Sequence, residues 1–178
     1  MTNAELAQAL RQAALLEGDF TLRSGRKSKY YLDKYLFETQ PALLRELARR
    51  FAPFVTPEVQ RIAGAELGAI ALACATALET GRPFVIVRNA KKAGYGTGKL
   101  IEGRLERGER VLLVEDIATS GGQAVEAIQT LRAAGAVVND IVVTIDRQEG
   151  ARAAIEAADV RFHALFTSQD LGITPSPM

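Results

Sequence analysis

Short apolar runs along this chain alternate with longer stretches in which apolar residues recur every three or four positions. The runs at 111–114 and 137–146 are rich in valine, isoleucine and leucine, as strands buried on both faces of a parallel sheet are. Shorter strands are expected at 61–64, 83–88 and 160–166, and helices at 41–51, from a turn at 65–71 on to 79, at 123–134 and at 150–158. Strands in alternation with helices predict an α/β fold with a central, mostly parallel sheet flanked by helices.

The segment before residue 40 reads differently. Residues 2–17 are an amphipathic helix, with Thr2 and Glu5 at capping-box spacing, Leu6, Leu10, Ala13 and Ala14 on one face, and Gly18 as its stop. Two strands, 20–23 and 29–33, are expected around Ser24 and Gly25. In the helix at 41–51, Pro41 occupies the first turn, Leu43, Leu44, Leu47 and Phe51 form the buried side, and Pro53 and Pro57 bring it to an end. These features divide one domain, 1–178, into a small N-terminal hood of about 40 residues and an α/β core over about 41–170.

Composition narrows the function classes. With 48% hydrophobic and 24% charged residues the chain has the make-up of a soluble globular protein. A net charge of +1 provides no global field to gather nucleic acid or membrane, so any anion site must be local. The single cysteine, Cys74, reads as a buried core thiol and allows no disulfide or zinc site. His163, the only histidine, alternates with Phe162 and Ala164 on a strand and reads as structural. No apolar run reaches membrane-spanning length, and residues 1–18 carry acids unlike those of a signal peptide, so a cytoplasmic location is expected.

The chemistry concentrates at 111–123, VLLVEDIATSGGQ. A buried strand reaches its end at two carboxylates, Glu115 and Asp116, and Thr119, Ser120, Gly121 and Gly122 then open a helix. Such a turn presents free N–H groups and a positive helix end to one anion. The carboxylates suit ribose hydroxyls or a metal, so the expected ligand is a sugar phosphate. No Gly-Lys-Ser/Thr follows, which excludes a Walker A loop.

Three other stretches bear on a ligand. RSGRKSK carries Arg23, Arg26, Lys27 and Lys29 just before Tyr30 and Tyr31. NAKKAGYGTGKLIEGR, 89–104, is a long connection whose glycines predict mobility and whose lysines predict closure on an anion. Arg147 follows the strand at 137–146, at the edge where ligands of open α/β sheets gather. The alternative for Arg147 is a surface arginine paired with Glu149.

Residues 111–123 resemble the signature for 5-phosphoribosyl 1-diphosphate (PRPP) of the type I phosphoribosyltransferases. FTLRSGRKSKYYLD and DRQEG extend the resemblance, over nearly the whole chain, to the orotate phosphoribosyltransferase family. It implies the type I phosphoribosyltransferase fold and transfer of the ribosyl 5-phosphate of PRPP to orotate. The PRPP site would comprise Arg88, Asn89, Lys91, Lys92, Glu115, Asp116, Ile117, Ala118, Thr119, Ser120, Gly121, Gly122 and Gln123. Asp116, Glu115, Lys92 and Arg88 would carry catalysis, and Arg23, Tyr30, Tyr31, Thr119 and Arg147 would hold orotate. Mg²⁺ is the implied cofactor, bound through PRPP oxygens and water with no direct protein ligand assigned. The resemblance further implies a homodimer in which the lid loop 89–104 reaches the neighbouring site.

The chain departs from the family pattern in places. Asn89 stands where lysine commonly follows the arginine, and the spacing to Tyr95-Gly96 is one residue longer, so Lys91 and Lys92 both remain candidates for the second loop lysine. AGAELGAIAL matches the diphosphate-binding loop but has Leu67 where some members have lysine, which predicts binding there through backbone groups. A purine or uracil phosphoribosyltransferase, or a PRPP-binding regulator of the same fold, would share the signature. The first gives no reason for RSGRKSKYY together with Arg147, and near-neutral charge with no helix-turn-helix segment weighs against a DNA-binding version of the second.

Overall fold

The structure, a computed structural model, describes residues 1–21, 25, 27–89 and 98–173. The chain opens with helix α1 (Asn3–Ala14), closed at its start by the Thr2–Glu5 capping box. The helix stops three residues short of the expectation, because Leu15 already begins strand β1 (Leu15–Thr21), which pairs antiparallel with β2 (Lys27–Leu32). Leu15 lies opposite Leu32, and the Asp33 N–H donates to the Ala14 carbonyl at 2.8 Å. Cross-strand pairing thus replaces another helical turn, and Gly18 falls at an irregularity of the hairpin instead of at a helix end.

A one-turn helix α2 (Tyr35–Glu38) leads into α3 (Pro41–Phe51), which has the expected bounds and continues as a short 3-10 turn at Ala52–Phe54. The core then alternates β3 (Arg61–Ala65), α4 (Ala69–Thr80), β4 (Phe84–Val87), the two-residue β5 (Ile101–Glu102) and β6 (Arg110–Ala118). It ends with α5 (Gly122–Ala133), β7 (Val137–Asp146), α6 (Ala151–Glu156) and β8 (Arg161–Thr167). The far part of the connection expected at 89–104 therefore holds a strand, since Ile101 and Glu102 pair antiparallel with Val87 and Ile86.

Strand order in the six-stranded sheet is β5-β4-β3-β6-β7-β8, parallel except at the β5 edge. Alternation along β6 explains its unbroken apolar run. Leu112 and Val114 pack with Ile62, Val142 and Phe166 beneath α1, α2, α3 and α4. Val111 and Leu113 pack on the other face with Ala127, Ile128 and Leu131 of α5 and Ile155 of α6. Leu6, Leu10, Leu32 and Phe37 join the first of these clusters, so the N-terminal segment is fastened to the sheet by shared apolar burial. Cys74 lies on α4 and is half-buried, more accessible than expected.

Gly121, the residue before α5, has φ of +82°, and a Cβ there would lie 3.0 Å from the backbone of Ala151. Gly121→Ala should cost about 1–2 kcal/mol from backbone conformation alone, plus whatever α6 loses in yielding. A lowered midpoint in thermal or urea unfolding is the expected outcome; an unchanged midpoint would show that the turn relaxes freely.

Candidate active site

From β3 the chain crosses to β4 on one side, and from β6 it crosses to β7 on the other. Connections that diverge in this way open a crevice at the C-terminal ends of the two strands, the usual ligand position of open α/β sheets. The acidic pair lies there, but within β6 and not beyond it. Ile117 and Ala118 still pair with Ile145 and Asp146, so the strand runs past both carboxylates. Alternation then turns Glu115 and Asp116 to opposite faces.

Both are buried, Glu115 7% and Asp116 1% exposed. The Asp116 N–H donates to Glu115 Oε1 at 3.0 Å and the Ile117 N–H to Asp116 Oδ1 at 2.5 Å. Asp116 Oδ2 forms an ion pair with Lys34 Nζ at 2.7 Å. Burial, and next the neighbouring Asp116 charge, holds the Glu115 carboxyl well above the usual range. Burial alone would lower the Lys34 ammonium, but the Asp116 carboxylate outweighs it and the group is raised. The loop after β3 packs hard against this pair: a Cβ on Gly68 would lie 1.8 Å from Asp116 Oδ2 and 2.9 Å from Lys34 Cε.

Thr119 and Ser120 lead from β6 into the N-terminus of α5, where Gly122 is the first helical residue and Gln123 the second. The Thr119 carbonyl accepts from the Ala151 N–H at 3.1 Å, which fixes the turn against α6. First-turn N–H groups have no partner within their own helix, so this turn retains the character of an anion site.

The root of the 89–104 connection is fastened to two neighbouring loops. The Asn89 N–H donates to Glu66 Oε1 at 2.7 Å, and its side-chain Nδ2 to the Glu66 carbonyl at 3.0 Å. Gln123 Nε2 reaches the same carbonyl at 3.4 Å and Asn89 Oδ1 at 3.3 Å. Arg88 Nη1 lies 4.0 Å from Glu66 and 3.9 Å from Glu102. Leu67, joined to Glu66 by a cis peptide, is 68% exposed.

Arg147 leaves β7 with its N–H bonded to the Ala118 carbonyl at 2.9 Å, beside the turn that opens α5. It is paired with Glu149 at 2.9 Å, yet it is no surface residue. Its guanidinium lies over the Tyr30 ring at 5.8 Å, Nη2 reaches the Tyr30 hydroxyl at 3.4 Å, and Nε is buried without a hydrogen-bond partner among the described residues. Tyr31 does not join it. That ring is exposed and stacks 5.7 Å from Phe20. Arg23, Lys91 and Lys92 lie outside the described residues.

Lys34, Glu38 and Glu66 are the residues that sequence reading missed. The i, i+4 spacing of Lys34 and Glu38 was visible, but nothing in it indicated a helix one turn long facing the acidic pair. Among the described residues no group of three or more His, Cys, Asp or Glu side chains is placed to hold a metal. A cavity of about 530 Å³ opens at the opposite edge of the sheet, but its charges are paired with one another, Arg161 and His163 with Asp140 and Arg110 with Glu58.

Comparison with known proteins agrees with this geometry. A phosphoribosyl transferase domain profile matches residues 57–168. An orotate phosphoribosyltransferase from Methanocella arvoryzae is 46% identical, covering 95% of this chain and 97% of its own. One from Natronomonas pharaonis is 48% identical, covering 96% and 98%. The solved orotate phosphoribosyltransferase of Mycobacterium tuberculosis in complex with PRPP superposes with a TM-score of 0.81 at 32% identity, over 96% of this chain and 99% of that one. The chain therefore belongs to the phosphoribosyltransferase family and, within it, to the orotate phosphoribosyltransferases.

Gly68 has φ of −64°, which alanine adopts freely, so a substitution there tests the crowding alone. Gly68→Ala should displace the Asp116 carboxylate and Lys34 and cost about 1–3 kcal/mol. Stability equal to wild type in urea unfolding would mean that the loop and β6 are not in close contact.

Proposed function

We infer that this chain transfers the 5-phosphoribosyl group of PRPP to orotate, releasing diphosphate and forming orotidine 5′-monophosphate for pyrimidine nucleotide synthesis. One observation carries the reading: a buried acidic pair near the C-terminal end of β6 shares the crevice with the turn that opens α5 and, beside that turn, with an arginine over the Tyr30 ring. Family membership supports it.

The chemistry needs no protein nucleophile. As the bond to diphosphate breaks, positive charge develops on the ribose ring and negative charge on the leaving group. Catalysis is then positioning and electrostatic stabilisation. The N–H groups and hydroxyls of Thr119–Gly122 hold the 5-phosphate, Glu115 and Asp116 engage the ribose hydroxyls, and the Asp116 carboxylate favours the cationic ring. Arg88 with Lys91 or Lys92 neutralises diphosphate. Arg147 grips the orotate carboxylate, and its buried, unpartnered Nε together with Tyr30 supports that role. Mg²⁺ would arrive with PRPP, held through substrate oxygens and water with no direct protein ligand assigned, and would supply positive charge to set against the diphosphate. Buried carboxylates that already hold other bonds suit a metal carried in with the substrate.

The chain works in the cytoplasm as a homodimer, with the loop at 89–104 closing over the neighbouring site. Its root, pinned by Glu66 and Gln123 at the crevice edge, gives that loop a fixed point of departure.

Arg147→Ala should weaken orotate binding by about 2–5 kcal/mol while PRPP binding changes little, because one clamp is removed and the phosphate turn is kept. Binding isotherms for each ligand, with orotate turnover compared against adenine and uracil, decide this. Equal losses for both ligands would make Arg147 a general structural residue.

Subunit mixing tests the shared site. One variant carries Lys91→Ala with Lys92→Ala; the other carries Asp116→Asn, which keeps the shape of the carboxylate without its charge. Each alone should be inactive. If the loop acts across the dimer, mixed dimers contain one site with both defects and one with neither, and activity returns. Confirmed mixed dimers without activity would mean that each loop serves its own subunit.

A further inference from the structure

The reaction as derived leaves two residues beside Asp116 without a task. Lys34 immediately precedes α2 and Glu38 is its last residue, one turn apart, and Asp116 is a neighbour of both. Lys34 Nζ is 2.7 Å from Asp116 Oδ2. Glu38 is 2% exposed, and its Oε1 has no hydrogen-bond partner among the described residues. Apart from the Lys34 ion pair, Asp116 Oδ2 has no hydrogen-bond donor either.

Two buried acceptor oxygens on neighbouring carboxyls are costly if both groups are ionised, whereas a single proton between them satisfies both. We propose that Lys34 and Glu38, at the two ends of α2, are a positioning pair for Asp116, with Lys34 as its counter-ion and the Glu38 carboxyl as its hydrogen-bond donor, together holding that carboxylate aimed at the ribose of PRPP. The proposal rests on the reading of Asp116 as a ribose-facing carboxylate.

Every charged neighbour is consistent with this assignment. Asp116 meets Glu115 on its own strand and Lys34 and Glu38 from α2, with Asp33 and Tyr35 close to that pair. The loop after β3 brings the uncharged Gly68 against Asp116 and Lys34. Burial and then the Asp116 charge push the Glu38 carboxyl up to about 8, so it retains its proton at neutral pH. Above that pH a second carboxylate competes for Lys34 and repels Asp116.

Glu38 also marks the stability curve. A folded-state carboxyl raised from 4.5 to about 8 binds a proton that the unfolded chain has already released. The contribution of Glu38 to stability therefore falls as pH rises from 4.5 towards 8, and the loss levels off above. Glu38→Gln can still donate to Asp116 but cannot ionise.

The experiment measures kcat and KM for PRPP, with orotate saturating, between about pH 6 and pH 9 for wild type, Glu38→Gln, Lys34→Met and Lys34→Arg. Titration of the substrate is common to all four and cancels in their ratios. The wild-type KM for PRPP should rise as pH passes about 8, and Glu38→Gln should flatten that rise. Lys34→Met should raise KM by about tenfold or more, with Lys34→Arg recovering most of the loss. Unfolding followed against pH gives a readout independent of activity: the advantage of Glu38→Gln over wild type should grow from pH 4.5 to about 8. If Lys34→Met does not fold, the Glu38→Gln comparison carries the test. Parallel KM profiles for wild type and Glu38→Gln, or Lys34→Arg as impaired as Lys34→Met, would overturn the proposal while leaving the assigned reaction intact. Wild type without orotate turnover would remove the reaction itself and the proposal with it.

Discussion

The contact between the loop after β3 and the end of β6 is the constraint on which the rest of this structure depends. The two backbones must approach closely and then diverge, and side chains stand in the way of both. Gly64 permits the approach of α4, since a Cβ there would lie 2.4 Å from the Ala69 carbonyl. Gly68 leaves room for the Asp116 carboxylate. With those two positions bare, loops after β3, β4, β6 and β7 converge within hydrogen-bonding reach. Glu66, Asn89 and Gln123 join three of them, and the Arg147 N–H on the Ala118 carbonyl joins the fourth.

What converges there is electrostatically unfavourable for folding. Glu38, Glu115 and Asp116 are all nearly inaccessible, and burial of an ionised carboxylate costs several kcal/mol even after relaxation. Lys34 offsets one charge, and protonation removes others. Such an arrangement has no structural advantage over apolar packing of the same volume. It becomes intelligible where positive charge arises transiently on a ligand, because carboxylates already stripped of water act strongly on it.

Much of this was readable from the sequence, for identifiable reasons. Strands β6 and β7 and helix α3 were evident because periodicity, proline and glycine all agreed on them. The end of α1 was not: Leu15-Leu16-Glu17 continues a helical pattern, and only the distant partner strand at Lys27–Leu32 makes it extended. The acidic pair was found, but its position inside the strand depends on pairing to Ile145 and Asp146, which lies in another segment. Tyr30 and Tyr31 looked equivalent; strand alternation separates them, placing one at Arg147 and the other against Phe20. Lys34 and Glu38 were passed over because a one-turn helix has no periodicity to read.

Two of the departures from the family pattern, Asn89 and Leu67, acquire a physical meaning in this setting. Asn89 both donates and accepts, bonding the Glu66 carbonyl through Nδ2 and receiving Gln123 on Oδ1. A lysine has no acceptor and could not close that bridge. Asparagine therefore exchanges a mobile charge at the root of the connection for a fixed junction. Leu67 likewise leaves the loop after β3 without a cation of its own, yet the Lys34 stem lies within 3 Å of where a Gly68 side chain would begin. The hood thus adds a cation to Arg88 at this edge of the crevice, and the ion pair with Asp116 fixes where that cation stands.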